Sequence, residues 1–143
     1  MTTIFECSPP ATGPRPMLST RLVHELGDPH STLRATTDRS GTAVLIYAGG
    51  EIDACNEQTW RSLVSEAAGV ATASGPLIVD VTGLDFMACC AVEVLAAEAE
   101  ALHRRGVELR LVSPQRIVSR IVDACGLGGV LPIYPTVDSA LGR

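Results

Sequence analysis

A chain of 143 residues, 46% hydrophobic and 19% charged, fits one domain around one buried core. Its net charge is −5 and its eleven basic residues are all arginine, scattered along the chain, so no basic patch is offered to nucleic acid or an anionic membrane. No apolar run reaches the roughly 18 residues a membrane helix needs. Five cysteines (Cys7, Cys55, Cys89, Cys90, Cys125) without a C-x-x-C pair, and three scattered histidines, argue against a zinc site or a secreted disulfide framework.

No metal and no cofactor is therefore expected. Aromatic residues make up only 3%, so the core is to be built from Val, Leu, Ile and Ala. The absence of lysine beside abundant alanine points to a GC-rich bacterial genome. Prolines at 9, 10, 14 and 16 interrupt any signal-peptide core, and the protein reads as cytoplasmic.

Five of the nine prolines fall in the first 29 residues among Ser, Thr and Gly. Residues 1–30 read as a flexible segment with room for a short helical turn at RLVHEL, and residues 31–143 as the folded domain. STLRATTD and TAVLIYAGG are strands joined by the turn DRSG, a hairpin. EIDACNEQTWRSLVSEAAGVA takes helical spacing, with Trp60, Leu63, Val64 and Ala67 on one stripe and Trp60 expected in the core. On an exposed stripe Trp60 would instead be an interface anchor.

PLIVDVTG is an almost wholly apolar strand, and LDFMA reads as a loop. The helix after it carries Val92, Leu95, Ala96, Ala99 and Leu102 inward and Glu93, Glu100 and Arg104 outward. VELRLVS is a strand, and Pro114 opens a helix with Ile117, Val118, Ile121, Val122 and Cys125 on its apolar face. LPIY is a small edge strand, and TVDSALGR a short terminal helix. The order β-β-α-β-α-β-α-β-α implies an α/β domain: a mixed sheet of about five strands, an antiparallel hairpin on one side, helices packed on it.

Four pieces in order carry a resemblance. GEID (Gly50 to Asp53), LIVDVTGLDFM, RRGVELRLVSP and IVDACGLGGVLPIYPTVDSAL together resemble the STAS domain, specifically the bacterial anti-sigma-factor antagonists, over about residues 42–142. The resemblance implies a STAS-like fold and a non-catalytic binding function. Its partner would be a serine-kinase-type anti-sigma factor, whose capture frees a sigma factor for transcription. In the family the kinase phosphorylates a serine at the start of the helix after the third strand, where unpaired N–H groups favour an anion, and the dianion breaks the complex.

Here the family's D-S-S-G falls on Ala88-Cys89-Cys90-Ala91. The phosphorylatable serine is replaced by Cys89, so no hydroxyl is available. The loss of the aspartate also removes a helix cap worth about 1 kcal/mol. Asp53, near the phosphorylation loop in the family, is retained. The contact surface implied by the resemblance is Glu51 and Asp53 of the GEID turn, then Asp85, Met87, Ala88, Cys89, Cys90 and Ala91. Asp80 and Asp85 also read as plain strand-end or loop residues. A homodimer is left open.

Three readings of the two thiols stand side by side. They are serine-sized fillers on a retained binding surface, since cysteine is commonly buried and inert. Or Cys89 and Cys90 form a redox switch in place of the phosphorylation switch, because a helix N-terminus favours a thiolate and oxidation adds bulk. A disulfide to Cys55 or Cys125 would require Cα atoms within about 7 Å, and Cys125 reads first as a core residue. The third reading, a Cys–His nucleophile, fails because His103 lies about 20 Å along the same helix from Cys89; the protein is not expected to be an enzyme.

Overall fold

The computed structural model describes residues 18–142. In chain order the elements are α1 (Thr20–Leu26), β1 (Leu33–Ser40), β2 (Ala43–Ile52), α2 (Glu57–Val70), β3 (Leu77–Met87), α3 (Cys89–Arg104), β4 (Leu109–Val112), α4 (Arg116–Ala124), β5 (Ile133–Tyr134) and α5 (Val137–Ala140). Among the described residues the strands form one sheet in the order β1-β2-β3-β4-β5. β1 pairs with β2 antiparallel, and the other neighbours are parallel. The expected mixed five-stranded α/β sheet, with its hairpin at one edge and LPIY at the other, is what forms.

The helix-and-strand alternation explains the layers. Val44, Ile46, Leu77, Val79, Leu109 and Leu111 belong to the main core under α1 to α4. Leu45, Ile78 and Val112, their neighbours along the strands, pack with Ala140 of α5 in a smaller second cluster. Successive residues of a strand point to opposite faces, so strands covered on both faces read as continuous apolar runs. Trp60, Leu63, Val64 and Ala67 are all fully buried, as the stripe on α2 predicts.

Four expectations are corrected. Helix α1 belongs to the packed domain rather than to a flexible segment reaching residue 30. Leu22 and Leu26 are buried in the main core, and Ser19 donates its N–H and hydroxyl to the Glu66 carboxylate on α2 at 2.6 and 3.0 Å. Two helical turns are too short to show a period by themselves; packing on α2 stabilises them. The rest of the expected tail, residues 1–17, lies outside the described residues.

Secondly, α2 starts at Glu57, six residues later than the helical spacing suggests. Glu51 and Ile52 instead extend β2 against Phe86 and Met87 of β3. Thirdly, LDFM is strand and not loop. Two register irregularities between β2 and β3, at Tyr47/Gly49 and Gly50/Glu51, place extra residues in β3. Val81, Leu84 and Met87 consequently face inward at intervals of three rather than two. A bulge of this kind re-aims side chains and hides the strand period. Fourthly, Ile117 is 56% exposed, leaving the buried face of α4 to Val118 and Val122.

Candidate functional site

Adjacent strands β2 and β3 run parallel, so the segments leaving them emerge side by side at one edge of the sheet. The N–H of Ala88 donates to Ile52 O at 2.9 Å and ties the two exits together. Gly50, the first residue of GEID, has φ +88°, and a Cβ there would lie 2.0 Å from Thr32 O. Only glycine meets both the backbone angle and the close approach.

The turn after Ile52 is held by its own side chains. Asp53 Oδ1 accepts from the N–H groups of Cys55 (2.9 Å) and Asn56 (3.3 Å). Asn56 Oδ1 accepts from Asp53 N–H, while its Nδ2 donates to Thr32 Oγ1 and to Glu51 O. These reciprocal bonds form the kind of Asx turn that favours Asp and Asn at helix starts. Asp53 therefore shapes the entry to α2, and its carboxylate is engaged locally.

Helix α3 begins differently. Ala88 occupies the N-cap position without a side-chain hydrogen bond, and the first turn holds no acidic residue. The turn is braced from α2 instead: Trp60 Nε1 donates to Ala91 O at 3.1 Å. Burial first, and then the charge and hydrogen bond of Glu57, push the Cys90 thiol pKa up. Cys90 is thereby held protonated.

Cys89 is exposed and turns the other way. Cys125 is the residue capping the C-terminus of α4. Cys125 is half-buried against the core; burial, followed by the neighbouring Cys89 thiol and the charge of Glu93, pushes its pKa up as well. The adjacent thiols thus have different neighbours, one on α2 and one on α4.

Of the eight residues expected on a contact surface, Glu51, Asp85 and Cys89 are exposed, and Asp53, Ala88 and Cys90 are half-buried. Met87 (7% exposed) and Ala91 (0%) turn into the core and are removed from that surface. Phe86, beside Met87, is 53% exposed and lies opposite Glu51 in the sheet register. Beside it a groove of about 260 Å³ is lined by Val81, Leu84, Phe86, Met87, Ile117 and Ile121. Phe86 and Ile117 are apolar surface residues that chain periodicity assigns to a loop and to a core. Strand alternation carried to Met87 would have turned Phe86 outward.

His103 is exposed at the far end of α3, away from the thiols. Among the described residues no group of His, Cys, Asp and Glu side chains could hold a metal ion, and no helix is long and apolar enough to cross a membrane.

The chain has recognisable relatives. The STAS domain family model matches residues 34–140. Rv2638 of Mycobacterium tuberculosis, provisionally named an anti-anti-sigma factor, is 69% identical over 134 residues, covering 94% of this chain and 90% of the relative. The anti-sigma-F factor antagonist RsfA of the same species is 58% identical over 111 residues, covering 78% of this chain and 87% of RsfA. The crystal structure of an anti-sigma factor antagonist from Mycobacterium paratuberculosis superposes with a TM-score of 0.70 at 22% identity, over 82% of this chain and 97% of that one, a likeness of fold. The matched span covers β1 to α5, the whole sheet and every helix after α1, and the chain belongs to the STAS domain family.

Proposed function

We propose that this domain is an anti-sigma-factor antagonist that binds a serine-kinase-type anti-sigma factor without being phosphorylated at the usual position. The observation that carries the proposal is the first turn of α3. Cys89 stands exposed there, in the seat of the family's phosphorylatable serine, with exposed Glu51, Asp85 and Phe86 on the two strand ends beside it. The names of the two mycobacterial relatives support an anti-sigma factor as the partner. A kinase that transfers phosphate to a serine hydroxyl meets no hydroxyl at Cys89, so the partner is bound and no phosphate is received there. Such a protein works in the cytoplasm, where the transcription machinery is.

The test is binding of purified serine-kinase-type anti-sigma factors to the reduced full-length chain by calorimetry, followed by incubation with labelled ATP. A complex with no label in the peptide containing Cys89 is expected. Label on Thr82 or Ser62 would mean that the switch sits elsewhere. Cys89→Asp places a carboxylate at the docking turn and is expected to weaken the complex tenfold or more; unchanged affinity would move the interface off this surface.

The exposure of Cys89 also favours a second reading, a thiol-based redox sensor on this same surface. As first drawn it used Cys89 and Cys90. Of the two, Cys89 is exposed and Cys90 half-buried, so Cys89 is the more open to a reagent from solution.

A further inference from the structure

The sheet ends in two unequal edges. β5 is only two residues long and stands between Pro132 and Pro135, which offer no N–H to a further strand and keep that edge closed. β1 runs for eight residues, Leu33–Ser40, without a proline. Among the described residues no strand lies beyond it.

Alternation along β1 decides which backbone groups face outward. Thr32 O accepts from Glu51 N–H across the hairpin, so Arg34, Thr36 and Asp38 turn their backbone groups to β2, and Leu33, Ala35, Thr37 and Arg39 turn theirs away. The ends of this outward row are already engaged. The Ser31 hydroxyl bonds both the C=O and the N–H of Leu33, and Arg39 N–H donates to Asp38 Oδ1. What stays open is the middle, the N–H and C=O groups of Ala35 and Thr37 on either side of Thr36. The side chains share that centre. Arg34 and Asp38 are exposed, stand two positions to either side of Thr36 on one face of the sheet, and have no ion-pair partner among the described residues.

We infer that β1 is a self-pairing edge: two copies of this chain join antiparallel about a two-fold axis at Thr36, and their sheets become one. Ala35 then meets Thr37 of the second copy, and the two exchange N–H···O=C bonds in both directions. Arg34 meets Asp38 of the second copy as an unlike charge across a non-hydrogen-bonded pair, where side chains lie closest, and the axis repeats the contact. Thr36 meets its own counterpart. A register shifted by one residue would set outward backbone groups against inward ones, and a shift by two would part both charge pairs. A patch that complements itself is the contact a two-fold dimer needs. β2 separates this edge from β3 and so from the first turn of α3. The proposed docking surface therefore stays uncovered, and the inference is independent of the functional reading. An edge this short makes a small contact, in the transient class below about 1,200 Å², so the dimer is expected at high protein concentration.

The experiment follows the reduced full-length chain by sedimentation velocity from about 10 μM to about 1 mM. A reversible shift from monomer to dimer is expected. Arg34→Asp or Asp38→Arg alone turns both charge pairs repulsive and should weaken the dimer at least about tenfold. The double change, Arg34→Asp with Asp38→Arg, restores unlike charges and should restore the dimer. Register is read by mild oxidation and peptide mapping. Thr36→Cys places a thiol opposite its own counterpart and should link two chains through that peptide. Ser40→Cys stands about 26 Å from its counterpart and should not. A chain that stays monomeric to about 1 mM, leaving the edge to a strand of another protein, would overturn the proposal. So would single charge changes that leave the dimer intact, a double change that does not restore it, or chains joined only through the native cysteines.

Discussion

Helices α2 and α3 start side by side from neighbouring parallel strands, yet the two starts are built in opposite ways. The entry to α2 is made by its own polar side chains, with Asp53 and Asn56 exchanging bonds and Asn56 reaching back to Thr32 and Glu51. The entry to α3 has Ala88 where a cap would stand and relies on Trp60 of α2 to hold it. Polar residues remain where they shape the backbone. They are gone from the turn where the family places a modification. The Asp53 carboxylate is taken up in shaping the entry to α2.

The difference can be broken from either side, and the largest effect is expected at the α2 entry. Gly50→Ala would push a Cβ against Thr32 O in a backbone conformation that disfavours side chains, at roughly 4 kcal/mol. Urea unfolding measures this, and a loss under about 1 kcal/mol would mean the β2 exit is pliable. Asn56→Ala removes three hydrogen bonds from the turn and should cost about 2 kcal/mol. Removing the donor of Trp60 by Trp60→Phe leaves Ala91 O without its indole partner, at about 1 to 2 kcal/mol by the same measurement.

The α3 entry predicts a change of opposite sign. Ala88→Asp should stabilise the protein by about 1 kcal/mol by supplying the missing cap; no gain in thermal unfolding would show that the turn geometry excludes one. The smallest effect concerns Cys90 alone. Its raised pKa means that little thiolate exists at neutral pH, so alkylation by iodoacetamide should be slow and should accelerate as pH rises beyond the usual thiol range. Glu57→Gln removes the charge and should speed the reaction at fixed pH, read by peptide mass; an unchanged rate would detach Cys90 from Glu57.

Much of the fold was legible. The stripe on α2, the buried Trp60, the inward face of α3 and the edge position of LPIY follow from helical and strand periods alone, because those residues bury the same faces that their spacing defines. What escaped did so for identifiable reasons. The two bulges in β3 replace an interval of two with one of three between Val81 and Met87, so a strand looked like a loop and Phe86 was missed. Helix α1 shows no period of its own and is held by Glu66 and the core. Ile117 follows the apolar rule for a helix, but α4 is short and only Val118 and Val122 reach the interior fully.

The thiols divide along the same line. That Cys89 opens the first turn of α3 is determined by residue order, because chain position and helix start are local properties. Which thiol meets which carboxylate or sulfur was decided by the tertiary structure. Cys89 and Cys90 are neighbours in the chain, but successive residues of a helix point about 100° apart. One therefore faces Glu57 on α2 and the other Cys125 on α4, and it is the packing of three helices against one sheet that separates them.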